Sequence, residues 1–176
     1  LVIPGNHDVY TFSSARRRLF ERLLGPYLPA PELPARILLP RGAPVVFYPG
    51  TGPNLLTSRG RMDRAVIRRT AELVAEAPAG RPVLLVGHYP LLPRTEAYRE
   101  GWSHRLPRAR EFREALAATG RTILCAAGHV HRFSLVRDPE HPALFHLASE
   151  PLFLRRAAHA GAFSSILCSP AGFAVS

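Results

Sequence analysis

Val83-Leu84-Leu85-Val86-Gly87-His88 and Ile123-Leu124-Cys125-Ala126-Ala127-Gly128-His129-Val130-His131 share one layout: a continuous apolar run, then glycine, then histidine. Leu1-Val2-Ile3-Pro4-Gly5-Asn6-His7-Asp8 follows the same plan at the start of the chain. Short apolar runs bounded by turn residues read as strands buried on both faces. In open α/β sheets, ligands bind beyond the carboxyl ends of the strands. Glycine there permits a sharp turn and a close approach of backbone to ligand. Three neighbouring strands ending in this way would aim His7, His88, His129 and His131 into one crevice. His129 and His131 are two apart, so on an extended chain they project to the same side. Neutral imidazoles gathered like this suit divalent metals.

Between and after these runs the pattern changes period. Ser13 to Leu24 reads as a helix, capped by Ser13 or Ser14 and ended by Gly25, with Ala15, Leu19, Phe20, Leu23 and Leu24 on one stripe. Arg61 to Ala77 reads as a second helix with Met62, Val66, Leu73 and Ala77 inward, and Arg108 to Ala118 as a third presenting Phe112, Ala115 and Leu116. Further strands are expected at Arg36–Leu39, Val45–Tyr48, Phe133–Val136, Leu144–Leu147, Phe163–Leu167 and Gly172–Val175. Pro26 to Pro34 carries four prolines and reads as loop, and Tyr89 to Pro107 is long and irregular. Strands separated by helices, then a run of strands, predict an α/β fold whose last part is antiparallel. No repeat, low-complexity tract or linker interrupts residues 1–176, so a single domain is expected.

The 176 residues are 47% hydrophobic and 20% charged, a soluble globular composition that excludes a disordered polar chain, a coiled coil and a collagen-like repeat. No apolar run approaches the roughly 20 residues that span a bilayer, so no membrane partner is expected. Cys125 and Cys168 form no CxxC pair, which fits a reducing, cytoplasmic setting, and Cys125 reads as a small core residue. The net charge is +10, and all 23 basic residues are arginine. With 18 prolines and no lysine, this points to codon bias in a GC-rich genome. A cationic surface nevertheless favours anionic partners such as phosphates or nucleic acid.

The ordered set GNHD (Gly5 to Asp8), GH (Gly87-His88) and GHVH (Gly128 to His131) resembles the calcineurin-like metallophosphoesterases. The resemblance extends from Leu1 to about Ala148. It implies a four-layer αββα sandwich with a dinuclear centre of two divalent ions (manganese, iron or zinc) at the strand ends, and hydrolysis of phosphomonoesters or phosphodiesters. By the same resemblance Asn6, His88 and His129 would ligate the second metal, and His131 the first. His7 would face the substrate and protonate the leaving oxygen, and Asp8 would hold His7 by a hydrogen bond. The family also has an earlier Asp-x-His and a Gly-Asp-x-x-Asp with a bridging aspartate. Neither motif is in this sequence, whose three aspartates are Asp8, Asp63 and Asp138. Asp63 is expected on a helix and Asp138 in a proline-rich turn.

Because the chain opens inside an apparent strand, an N-terminal portion bearing the missing motifs and strands is expected, and the centre is expected to be incomplete, and inactive, without it. A phosphate-ester small molecule is the expected partner. A nuclease of the same superfamily, with nucleic acid as partner, and a non-catalytic binding module are the alternatives. His104, His141, His146 and His159 have no motif context and read as surface or loop residues. Tyr98, Trp102, Arg94, Arg99 and Arg105 read as a rim of the cleft or as plain surface.

Overall fold

A computed structural model describes residues 1–151 and 163–176 of the chain. It is a mixed α/β fold whose main sheet has six strands, with helices α1 (Phe12–Arg16), α2 (Leu19–Leu24), α3 (Arg64–Ala75) and α4 (Ala109–Ala117). The sheet strands are β1 (Ala35–Leu38), β2 (Pro44–Phe47), β3 (Val83–Val86), β4 (Ile123–Ala127), β5 (Ser134–Arg137) and β6 (Leu144–Ala148). Their order across the sheet is β1-β2-β3-β4-β6-β5. β2, β3, β4 and β6 run parallel, while β1 and β5 are antiparallel edges. A separate antiparallel pair is made by β7 (Ile166–Ser169) and β8 (Gly172–Val175).

The parallel connections β2 to β3 and β3 to β4 need crossovers, and the amphipathic helices α3 and α4 supply them. α3 begins where Asp63 Oδ1 accepts the Val66 N–H at 2.8 Å, satisfying an otherwise orphaned donor. Ile67, Thr70, Leu73 and Val74 then form its buried stripe, with Ala77 buried just beyond its end. Together with Phe112 and Leu116 of α4 they pack on Val46, Val83, Leu85, Ile123 and Leu144 from one face of the sheet. The opposite face of the same strands is apolar as well, with Val45, Phe47, Leu124 and Leu147 buried. Strands apolar on both faces explain why β3 and β4 read as unbroken hydrophobic runs.

Two expectations are corrected. Leu1–Ile3 is not a strand: the flank of β2 is taken by β1, and this run has no ladder partner among the described residues. Its Leu1 and Val2 side chains are exposed, and Val2 is tied only by its N–H to the Tyr27 carbonyl at 2.9 Å. The histidine motifs therefore end two neighbouring strands, not three. The helix expected over Ser13–Leu24 is broken in two, because Arg18 takes a left-handed conformation (φ 49°) between α1 and α2. Its cap is Thr11, whose hydroxyl accepts the Ser14 N–H. The break re-aims the second segment, and Phe20 becomes its buried residue.

Candidate metal and phosphate site

The site forms where β3 and β4 end side by side. Their ladder continues past both strands: Gly87 N–H donates to the Ala126 carbonyl and Gly128 N–H to the His88 carbonyl, each at 3.1 Å. This sets His88 and His129 at the same edge of the sheet. A side chain at Gly87 would collide with the ring and hydroxyl of Tyr48, so the close approach itself requires glycine. Tyr48 is buried and spends its hydroxyl on the Tyr89 carbonyl at 3.0 Å.

The GNHD segment reaches the same place from a turn. Asp8 Oδ2 accepts the Gly5 N–H at 2.7 Å, and the Asp8 N–H returns to the Gly5 carbonyl. This closed turn presents Asn6 inward, buried, and leaves His7 and Asp8 exposed. Asn6 Oδ1 then lies 2.8 Å from His88 Nε2, and His129 Nδ1 lies 3.2 Å from the same nitrogen. The expected hydrogen bond from Asp8 to His7 is not formed; the carboxylate closes the turn instead. The ring of His7 stacks on Tyr10, with centroids 5.9 Å apart and planes inclined by 7°.

The proton inventory of this cluster is informative. His129 Nε2 lies 2.8 Å from the His104 carbonyl, which can only accept, so Nε2 carries the proton and Nδ1 presents a lone pair. His88 Nε2 therefore either shares one proton between two acceptors or adds a third lone pair to them. Ligands bound at about 2.0–2.1 Å to one cation stand roughly 3.0–3.4 Å apart. Asn6 Oδ1 and His129 Nδ1 stand 2.8 and 3.2 Å from His88 Nε2, which makes these three atoms the candidates for holding a divalent ion. Burial, then the charges of His129, His131 and His7, lower His88 to about 4. Burial also lowers His129 to about 4, against the His104 hydrogen bond, with His104, His131 and His7 adding to the decrease. Both rings are thus neutral at pH 7, the state that binds metal.

His131 sits at the rim, exposed. Neither it nor His129 is extended: both are left-handed, with φ 53° and 66°, so the two-residue spacing does not place them side by side as on a strand. Among the described residues, His131 is the candidate left for a second ion. Among the described residues no three His, Cys, Asp or Glu side chains converge on one point.

Three residues read as bland are not. The His104 carbonyl orients His129. His146 is buried on β6, with Nε2 2.8 Å from Asp138 Oδ2. Asp138 is likewise buried, and Arg113 donates to both its oxygens at 2.7 and 3.1 Å. This network stands on β6 and α4, where it fixes structure. His159 lies outside the described residues. Of the proposed rim, Trp102 is exposed, with the Arg59 guanidinium 4.3 Å from its ring centroid.

Sequence reasoning missed Glu100. Its side chain is 4% exposed, neither carboxylate oxygen has a hydrogen-bond partner among the described residues, and Oε1 is 3.7 Å from His129 Nε2. Burial pushes its carboxyl up to about 8, opposed by Arg105. The only available signal was its place in the irregular stretch that follows Gly87-His88.

Among the described residues, no helix is long and apolar enough to cross a membrane. No known family model matches the chain, and no curated protein matches it.

Proposed function

We propose that the chain carries one half of a dinuclear metal centre that hydrolyses phosphomonoesters or phosphodiesters. The convergence of Asn6 Oδ1, His88 Nε2 and His129 Nδ1 at the ends of two parallel strands supports this reading most directly. Divalent ions in such a centre neutralise phosphate oxygens and lower the pKa of a water. The chain's own groups do the rest. Asn6 and the two imidazoles supply neutral donors, leaving positive charge at the site for a phosphate. His7, exposed with its ring stacked on Tyr10, is free to give a proton to a departing alkoxide. Among the described residues, His131 at the rim is the donor left toward a second ion.

The four-layer αββα arrangement belongs to the same proposal. The second face of the sheet, where Val45, Phe47, Leu124 and Leu147 are buried, supports it, since such a sandwich packs a layer on both faces. With a single donor for the second ion, these 176 residues are expected to bind phosphate through metal but not to turn over. The test is titration of inorganic phosphate into the chain with and without Zn²⁺, repeated with His129→Ala. Binding that needs Zn²⁺ and is lost in the variant supports the proposal. Phosphate binding indifferent to Zn²⁺ would contradict it.

A further inference from the structure

Trp102 is the single tryptophan of the chain, and it is 58% exposed. Indoles are highly buried on average, because their large apolar area gains most from leaving water. This one is exposed yet held. The Arg59 guanidinium lies over its ring, 4.3 Å from the centroid, and Arg59 Nε is buried without a hydrogen-bond partner among the described residues. Backbone bonds fix both segments. The Gly60 N–H donates to the Arg105 carbonyl at 3.3 Å, joining the Arg59 segment to the loop that carries Trp102. The His104 N–H closes the turn on the Gly101 carbonyl at 3.1 Å.

That turn is anchored on the metal site. The carbonyl of His104 is 2.8 Å from His129 Nε2, and Trp102 precedes His104 by two residues, at most about 7 Å of chain. Arg59 also lines a cavity of about 380 Å³ with Glu100 and Arg105, and the Glu100 side chain borders His129 at 3.7 Å. We propose that Trp102, steadied by Arg59, determines specificity by stacking a flat aromatic group of the phosphate ester, as a nucleoside monophosphate carries. This rests on the metal-site reading above, in which the cation holds the phosphate. An indole already pinned under a guanidinium loses little side-chain freedom when a ring settles on it. Stacking is tolerant of which base is presented, since every base has a π-face. The platform therefore separates aromatic esters from plain sugar phosphates, not one base from another.

Adenosine monophosphate and ribose 5-phosphate offer the same phosphate with and without the ring. In calorimetric titration of the Zn²⁺-loaded chain, the nucleotide should bind about 5–150-fold more tightly, the usual worth of one stacked base. It should also quench the fluorescence of Trp102, which no other tryptophan masks. Trp102→Ala should abolish the difference between the two ligands, Trp102→Phe should keep most of it, and both should bind ribose 5-phosphate as the parent does. Equal affinities in the parent chain, with Zn²⁺-dependent binding of both, overturn the inference and leave the metal site standing. A Trp102→Ala variant that weakens both ligands alike marks the pair as a loop pin and overturns it too. Binding of ribose 5-phosphate indifferent to Zn²⁺ overturns the metal-site reading itself, and the inference with it.

Discussion

Asn6 Oδ1 lies 2.8 Å from His88 Nε2 although the two residues are 82 positions apart in the chain. The contact is made without a strand beneath Asn6: the turn from Gly5 to Asp8 delivers it. A Cβ at Gly5 would stand 3.1 Å from His88 Cε1, so the backbone of the turn rests against the ring it serves. Two neutral imidazoles and an amide oxygen therefore face one another at the ends of β3 and β4.

Replacing His88 or His129 by alanine removes one donor from a three-donor set. We expect either variant to bind Zn²⁺ much more weakly while far-ultraviolet circular dichroism stays that of the parent, since both residues follow their strands and do not form them.

His7→Ala should behave differently. The exposed ring makes no hydrogen bond among the described residues, so Zn²⁺ affinity should stay within about two-fold of the parent. In a form of the protein with both metal sets complete, turnover should fall by about 10²–10⁴, the usual cost of losing a general acid. Metal analysis beside kinetics checks both halves, and loss of metal in step with activity would make His7 a ligand.

Gly87→Ala tests the local packing. The added methyl would meet the Tyr48 ring, which is pinned by its bond to the Tyr89 carbonyl. We expect a loss of about 1–3 kcal/mol in denaturant unfolding, typical of overpacking, and weaker Zn²⁺ binding because His88 is the next residue.

The buried network on β6 sets the acid limit of the fold. Burial works to raise the Asp138 carboxyl, but hydrogen bonds from His146, Arg113 and the Glu140 backbone, with the Arg113 charge, hold it well below its ordinary value. Burial lowers His146, outweighing the Asp138 hydrogen bond and charge. Both groups bind protons more tightly unfolded than folded, so stability falls with pH. The loss should start below about pH 6.5 for His146 and deepen below about pH 4 for Asp138. Asp138→Ala should cost about 3–5 kcal/mol at neutral pH, because the Arg113 guanidinium stays buried with only Glu140 beside it. Unfolding free energies across pH 3–8 measure both, and a profile flat below pH 6.5 would contradict the assignment.

What the sequence disclosed was what local pattern encodes. β3 and β4 were legible because a strand apolar on both faces leaves an unmistakable run, and α3 because its apolar residues recur at helical spacing, although the helix starts at Arg64 after the Asp63 cap and not at Arg61. Leu1–Ile3 had the same composition as β3, yet strand formation needs a partner, and β1 occupies the place beside β2. The left-handed turns at His129 and His131 follow from how the chain leaves β4, which no residue type announces. Glu100, Asp138 and His146 were invisible for a related reason: burial of a charged or polar group is decided by what the distant chain brings over it.

One divalent ion held by His88 and His129 together with Asn6 is what we propose for this site. X-ray absorption at the zinc edge, on the chain loaded with one equivalent of Zn²⁺, counts imidazole ligands directly. We predict two imidazoles among nitrogen and oxygen donors at about 2.0–2.1 Å, falling to one in His129→Ala and one in His88→Ala. An imidazole count unchanged by both substitutions would place the metal on other histidines and contradict the account.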